Sequence, residues 1–292
     1  MIEPPAFAPS VPSPDALVHQ ALAYRAAGNE ARAIELFKQA LAAEPEHLNA
    51  QIQLGATYID GGKTTLALDV LSGAARQAPN SAAVRRLVAL CHLQKNALKI
   101  ARAEAEEAVS LGPSDGISHT ILGRVLARQQ AWSAAEISLR RGAELAPHST
   151  YSLVHLGYFL VNRRRIKDAA VVAEDAARVA PDDFSVLLLR GDVALRLGKA
   201  AEARDFALWA LQQKATSREA IRLLVSVKAR QSWWLGLWWR LNASYWLRIA
   251  LFIPFIPFGL WIIPLVYLVA GRALFTEMIK RELKTVTLKP GF

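Results

Sequence analysis

Prolines stand at 45, 79, 113, 147 and 181, an unbroken interval of 34 residues, and Ala215 is the next member of that column. Such a spacing requires equal supersecondary units laid end to end, which excludes most compact folds. Other columns keep the same phase. One reads Ala21, Gly55, Ala89, Gly123, Gly157 and Gly191. A second is alanine throughout, at 33, 67, 101, 135, 169 and 203, and a third reads Ala40, Ala74, Ala108, Gly142, Ala176 and Ala210. Six units of 34 fill residues 14–217 without insertion or deletion.

These columns predict two antiparallel helices per unit. A first helix ends at a turn such as Arg25-Ala-Ala-Gly28-Asn or Leu195-Arg-Leu-Gly198-Lys, where glycine supplies the left-handed cap. A second helix stops near the proline, which has no place in a helix interior. Small residues sit where the helices cross, because a longer side chain would separate the backbones. Leu54, Tyr58, Phe37, Leu71, Leu122 and Leu139 are the candidates to fill the space between. A lone unit cannot bury its apolar face, so the units are expected to stack into a continuous superhelical core.

The pattern resembles the tetratricopeptide repeat across residues 14–217, with Arg218–Arg230 as the expected capping helix. Two departures stand out. The tryptophan that often opens such a repeat is replaced by Leu17, Gln51, Arg85, His119, Leu153 and Leu187, and the large residue before the second small column shrinks to Ala105, Ala173 and Ala207. Family members are generally binding scaffolds whose first helices line a concave groove for a peptide or partner helix. Carried onto this chain, that face comprises Asn49, Arg86, Arg124, Arg128, Tyr158, Asn162, Asp192, Arg196, Arg222 and Arg230. Its arginines suit an acidic segment or a C-terminal carboxylate through bidentate, charge-assisted bonds, or serve only solubility. Arg163-Arg164-Arg165-Ile-Lys167 falls on the turn of the fifth repeat, as a headgroup or acidic-partner contact or as a solvated loop. Two solenoids could also self-associate through the alanine-rich later repeats.

Chemistry is sparse. Gly61-Gly62-Lys63-Thr64 lacks the earlier glycine of a phosphate-binding loop, Thr57 standing there, and it occupies an interhelical turn. The six histidines are dispersed, and Pro147–Ser149 interrupts the helix that would otherwise align His148 with His155. Cys91 faces the packing side of a helix, and Asp182-Asp183 reads as a helix cap. No catalytic, cofactor or metal site is expected. One cysteine excludes an internal disulfide framework.

Composition shifts sharply after the repeats. From Ser232 to Phe292 lie 13 of the 24 aromatic residues, six of the eight tryptophans and seven Lys and Arg against Glu277 and Glu282. An anionic membrane surface fits this segment better than nucleic acid does. Residues 232–248 hold Trp233, Trp234, Trp238, Trp239 and Trp246 beside Arg240 and Arg248, an interfacial pattern. Ile249–Ala270 is a 22-residue run without charge; as a helix it would reach ~33 Å, enough for a hydrocarbon core of ~30 Å. Pro254, Pro257 and Pro264 break it, and basic residues flank both ends, Arg272 among them. The readings are a single span or a re-entrant hairpin with both ends on the cytoplasmic face. Residues 271–292 form a basic amphipathic tail, and residues 1–13 a Pro-rich disordered leader without the features of a secretory signal.

The expectation is therefore an all-α chain: a superhelical solenoid of six 34-residue helix-turn-helix repeats plus a capping helix (14–231), then a membrane-inserted helical segment. It would be a non-enzymatic scaffold that holds a protein partner on the cytoplasmic side of a membrane, the inner membrane of a bacterium. The alternative is a structural subunit of a larger membrane complex, with the C-terminal segment as its main contact.

Overall fold

The computed structural model describes residues 12–231, and every regular element among them is an α-helix. In chain order these are α1 (Pro14–Ala26), α2 (Glu30–Ala43), α3 (Leu48–Asp60), α4 (Thr64–Gln77), α5 (Ala82–Gln94), α6 (Leu98–Leu111), α7 (Gly116–Arg128), α8 (Trp132–Leu145), α9 (Thr150–Asn162), α10 (Ile166–Val179), α11 (Phe184–Arg196), α12 (Ala200–Gln213) and α13 (Arg218–Gln231). Odd-numbered helices are the first helices of the repeats, and α13 stands where the capping helix was expected.

The chain divides at Pro147/His148 into two compact units, where the repeats alone suggested one uninterrupted stack. The first unit holds α1 to α8, with a core that includes Leu17, Leu36, Phe37, Leu54, Tyr58, Leu71 and Cys91. The second holds α9 to α13, with a core that includes Leu187, Phe206, Leu211, Leu224 and Val227. Within each unit a first helix packs on its own second helix and on the neighbouring first helix.

The small-residue columns lie at these crossings. All six residues of the alanine column starting at Ala33 are 0% exposed. Leu54, Tyr58, Phe37, Leu71 and Leu139 are buried as expected, while Leu122 is half-buried. The tightest demand is between α7 and α8. A Cβ on Gly142 would lie 2.8 Å from the carbonyl oxygen of Gly116, and one on Gly116 would lie 2.6 Å from that of Gly142. Backbone cannot rotate aside as a leucine side chain can, so glycine is required at both.

The turns repeat as faithfully as the crossings. Positive φ occurs at Gly28, Gly62, Asn96, Gln130, Arg164 and Gly198, one column at the 34-residue interval. The next N–H in each case donates to the carbonyl five residues back, as Asn29 does to Tyr24 (2.9 Å) and Arg165 to Leu160 (2.9 Å). This is the Schellman closure. Glycine serves three of these left-handed positions, and side-chain-bearing residues accept the strain at the other three.

First helices begin with a column of capping side chains that sequence reading found only at Asp183. Ser13, His47, Ser81, Asp115, Ser149 and Asp183 each accept a backbone N–H of the first turn. Ser217 does the same for Ala220 at 3.3 Å. His47 caps through Nδ1, so its hydrogen resides on Nε2 and points to Asp15, 3.0 Å away. Second helices end in an extended residue that precedes the column proline, such as Glu44 at ψ 93. Lys214 adopts the same form, ψ 82, although Ala215 follows it. Packing within the repeat therefore holds this bend without proline.

The missing tryptophans also acquire an explanation in the first unit. Gln51 Nε2 donates to the Pro45 carbonyl (2.8 Å), Arg85 Nε to that of Pro79 (3.0 Å) and His119 Nε2 to that of Pro113 (3.0 Å). A hydrogen bond to the proline carbonyl replaces bulk as the tie between one second helix and the next first helix. In the second unit Leu153 and Leu187 are buried at this position.

Two substitutions test the geometry. Gly142→Ala should cost about 1–3 kcal/mol, because backbone must move to admit the methyl group. Gln130→Gly should stabilise by up to ~1 kcal/mol through relief of the left-handed strain. Urea unfolding followed by circular dichroism reads both.

Candidate functional site

First helices α9, α11 and α13 stand side by side in the second unit, and their shared face is hollowed into a groove of about 750 Å³. The repeat period explains its construction. Residues 34 apart occupy equivalent places on successive first helices, so three columns supply most of the lining. They are Tyr151, Ser185 and Glu219; Val154, Leu188 and Arg222; and Tyr158, Asp192 and Ser226. Val154, Leu188, Leu195 and Leu223 form an apolar floor, all buried. Phe184 adds an aromatic ring, and Tyr151 meets His155 edge-on with centroids 4.5 Å apart.

The polar members are held in place. Asp183 is fixed as the α11 cap by the N–H groups of Ser185 (2.8 Å) and Val186 (3.1 Å). Asp192 accepts Arg196 Nε on both oxygens, at 3.1 and 3.2 Å. Glu219 accepts the Ser217 hydroxyl at 2.9 Å. Its own N–H and that hydroxyl, with Arg222 and Arg218 nearby, hold its carboxyl below the ordinary range. Burial pushes the Tyr158 phenol well above its ordinary value, and the charges of Asp192 and Glu219 push it further.

Of the residues read as groove-forming, the structure brings Tyr158, Asp192 and Arg222 together here. Asn162 and Arg196 lie at the last residues of α9 and α11, outside the lining. Arg230 donates to the Leu195 carbonyl. In the first unit, Asn49 sits at the start of α3 and accepts Gln53 at 3.4 Å. Arg86 pairs with Asp115 at 2.7 Å, Arg128 bonds Asn96 at 2.8 Å, and Arg124 is half-buried on α7. Tyr151, His155, Phe184 and Glu219 were passed over. The signal was present: Tyr151 and Glu219 share the Asn49 column, and 151, 155 and 158 are one helical stripe.

The remaining motifs take structural positions. Gly61–Thr64 is the α3–α4 turn, with Gly62 at φ +71 and Lys63 at the start of α4. Cys91 is 0% exposed, and burial pushes its thiol up to about 11. Arg163–Arg165 form the α9–α10 turn. No helix among the described residues is long and apolar enough to cross a membrane. Trp233, Trp234, Trp238, Trp239, Arg240, Trp246, Arg248 and Arg272, and the run 249–270, lie outside the described residues.

A helical repeat scaffold with a lined groove is what this geometry defines. Tetratricopeptide-repeat family models match residues 24–91, and then 90–150 and 156–218. The chain belongs to the tetratricopeptide-repeat family. Comparison with the curated proteins gives no match. Among solved structures, the fold is similar to that of the APC/C hetero-tetramer Cut9–Hcn1, with a TM-score of 0.62 at 15% identity over 74% of this chain. This chain covers 43% of that one. PilW, a widely conserved type IV pilus biogenesis factor, gives a TM-score of 0.55 at 18% identity, over 72% of this chain and 98% of its own. A thermophilic tetratricopeptide protein of Thermus thermophilus gives 0.58 at 21% identity, over 63% of this chain and 99% of its own. These likenesses establish the fold. Family members are generally non-enzymatic protein-interaction scaffolds.

The Arg86–Asp115 pair yields a pH prediction. Burial alone would raise the Asp115 carboxyl, but the Ser118 hydroxyl, Arg86 and the Ile117 N–H together bring it below the ordinary value. A carboxyl depressed in the folded state contributes stability above its unfolded pKa, and that stability is lost as pH falls through the folded one. Arg86→Ala should therefore cost about 1–2 kcal/mol at neutral pH and flatten the decline in acid. Thermal melts across the acid range measure it.

Proposed function

We propose that the protein is a membrane-tethered scaffold that holds a partner's extended or helical segment in the α9–α11–α13 groove at the cytoplasmic surface of a bacterial inner membrane. The groove carries this reading. Its buried apolar floor and ring of fixed polar groups are what a bound segment needs for affinity and for orientation. Three of the residues named from sequence, Tyr158, Asp192 and Arg222, belong to its lining and come from two of its columns. The first-unit arginines are weaker candidates, since Arg86 and Arg128 already have partners within the chain.

Tethering rests on the sequence of residues 232–292. The tryptophan cluster suits headgroup depth, and the uncharged run 249–270 suits the hydrocarbon, as a span or as a re-entrant hairpin. Fixing a binder to a surface raises its effective concentration toward other molecules confined there.

Crosslinking in native membranes, followed by mass spectrometry, tests the groove. Ser226→Trp, which fills it from the α13 side, should abolish capture of one stoichiometric partner. If the same membrane proteins persist, residues 232–292 are the contact and the groove reading fails. Alkaline carbonate should leave the full-length protein in the membrane pellet; its release would overturn the anchor.

A further inference from the structure

We infer that the α9–α11–α13 groove selects a cationic side chain, an arginine or lysine with an apolar neighbour, from the partner segment it binds. This rests on the scaffold reading and departs from the acidic ligand that the arginine columns suggest.

The lining decides the sign. The lining carries three carboxylates, Asp183, Asp192 and Glu219, against one guanidinium, that of Arg222, which is exposed. Arg196 binds Asp192 from outside the lining and engages both oxygens through a single Nε, so acceptor capacity on that carboxylate remains. Burial raises the pKa of the Tyr158 hydroxyl, and the charges of Asp192 and Glu219 raise it further. A positive group that reaches this depth meets a negative field in a partly desolvated site, where charge-assisted bonds are strong.

The aromatic rings reinforce the preference. Tyr151, Tyr158 and Phe184 line the hollow, and a cation over an aromatic ring is attracted by its quadrupole. The same unit already uses that contact twice: Lys214 Nζ lies 4.8 Å from the Phe184 centroid, and the Arg190 guanidinium 4.3 Å from that of Phe206. The aliphatic stem of an arginine or lysine would lie along Leu188 while its head reaches Asp192 and Glu219. An acidic segment would instead bring its charges against both carboxylates, which costs binding energy.

A random short-peptide library displayed on phage, selected against the full-length protein in detergent micelles, tests this. Enriched peptides should carry Arg or Lys beside an aromatic or aliphatic residue. Their affinity should fall about tenfold in an Asp192→Asn, Glu219→Gln double variant. The charge-reversed pair Asp192→Lys, Glu219→Lys should select acidic peptides instead, with circular dichroism confirming that each variant stays helical. Peptides that are lost in Ser226→Trp but are acidic or uncharged would overturn this inference and leave the groove reading intact. Peptides indifferent to Ser226→Trp and to Leu188→Arg, or no enrichment at all, would overturn both.

Discussion

Two antiparallel helices can approach closely only where neither carries a side chain beyond Cβ, and every repeat here satisfies that condition at three fixed positions. The alanine column from Ala33 to Ala203 has no exposure at any member. Once those contacts are made, the distance between first and second helix is set, and with it the place of the next first helix. Gly116 and Gly142 press the rule further, to backbone against backbone. Larger apolar residues pack around these points, and they are free to vary in a way that the crossings are not.

The turns convert that local rule into a register. Each Schellman closure joins first to second helix with so few residues that the donor of its last bond is itself the N-cap position of the second helix. No slack remains between the two helices of a repeat. Equivalent positions therefore stay equivalent, which is why a groove can be assembled from columns. Glycine at half of the left-handed positions and Asn96, Gln130 or Arg164 at the others shows that the register tolerates strain at a turn more readily than bulk at a crossing.

Much of the fold was legible because its constraints are periodic. Pro45 to Pro181 mark the helix ends, and the small columns mark the crossings, whatever the surface residues are. The capping column was hidden by its mixture of Ser, His and Asp, which share an acceptor atom and little else. Gln51, Arg85 and His119 looked like defects at the tryptophan position, since their bonds to proline carbonyls are invisible until the backbone is in place. The groove was half legible for a related reason. The concave face carried over from the family took in Arg86 and Arg128, which have partners within the chain, and left out Tyr151 and Phe184, whose roles come from position. The division at Pro147/His148 had no marker in the period, which runs through it unchanged.

Among the described residues, every extensive helix contact is made with the next helix or the next but one. The described part thus has low contact order, and a growing polypeptide can order it helix by helix without waiting for distant sequence. The last helix of the groove, α13, ends at Gln231, and the apolar run begins only at Ile249. During synthesis, therefore, α13 emerges from the ribosome before the apolar run that follows it, so the order in which the two parts become available is written into their order along the chain.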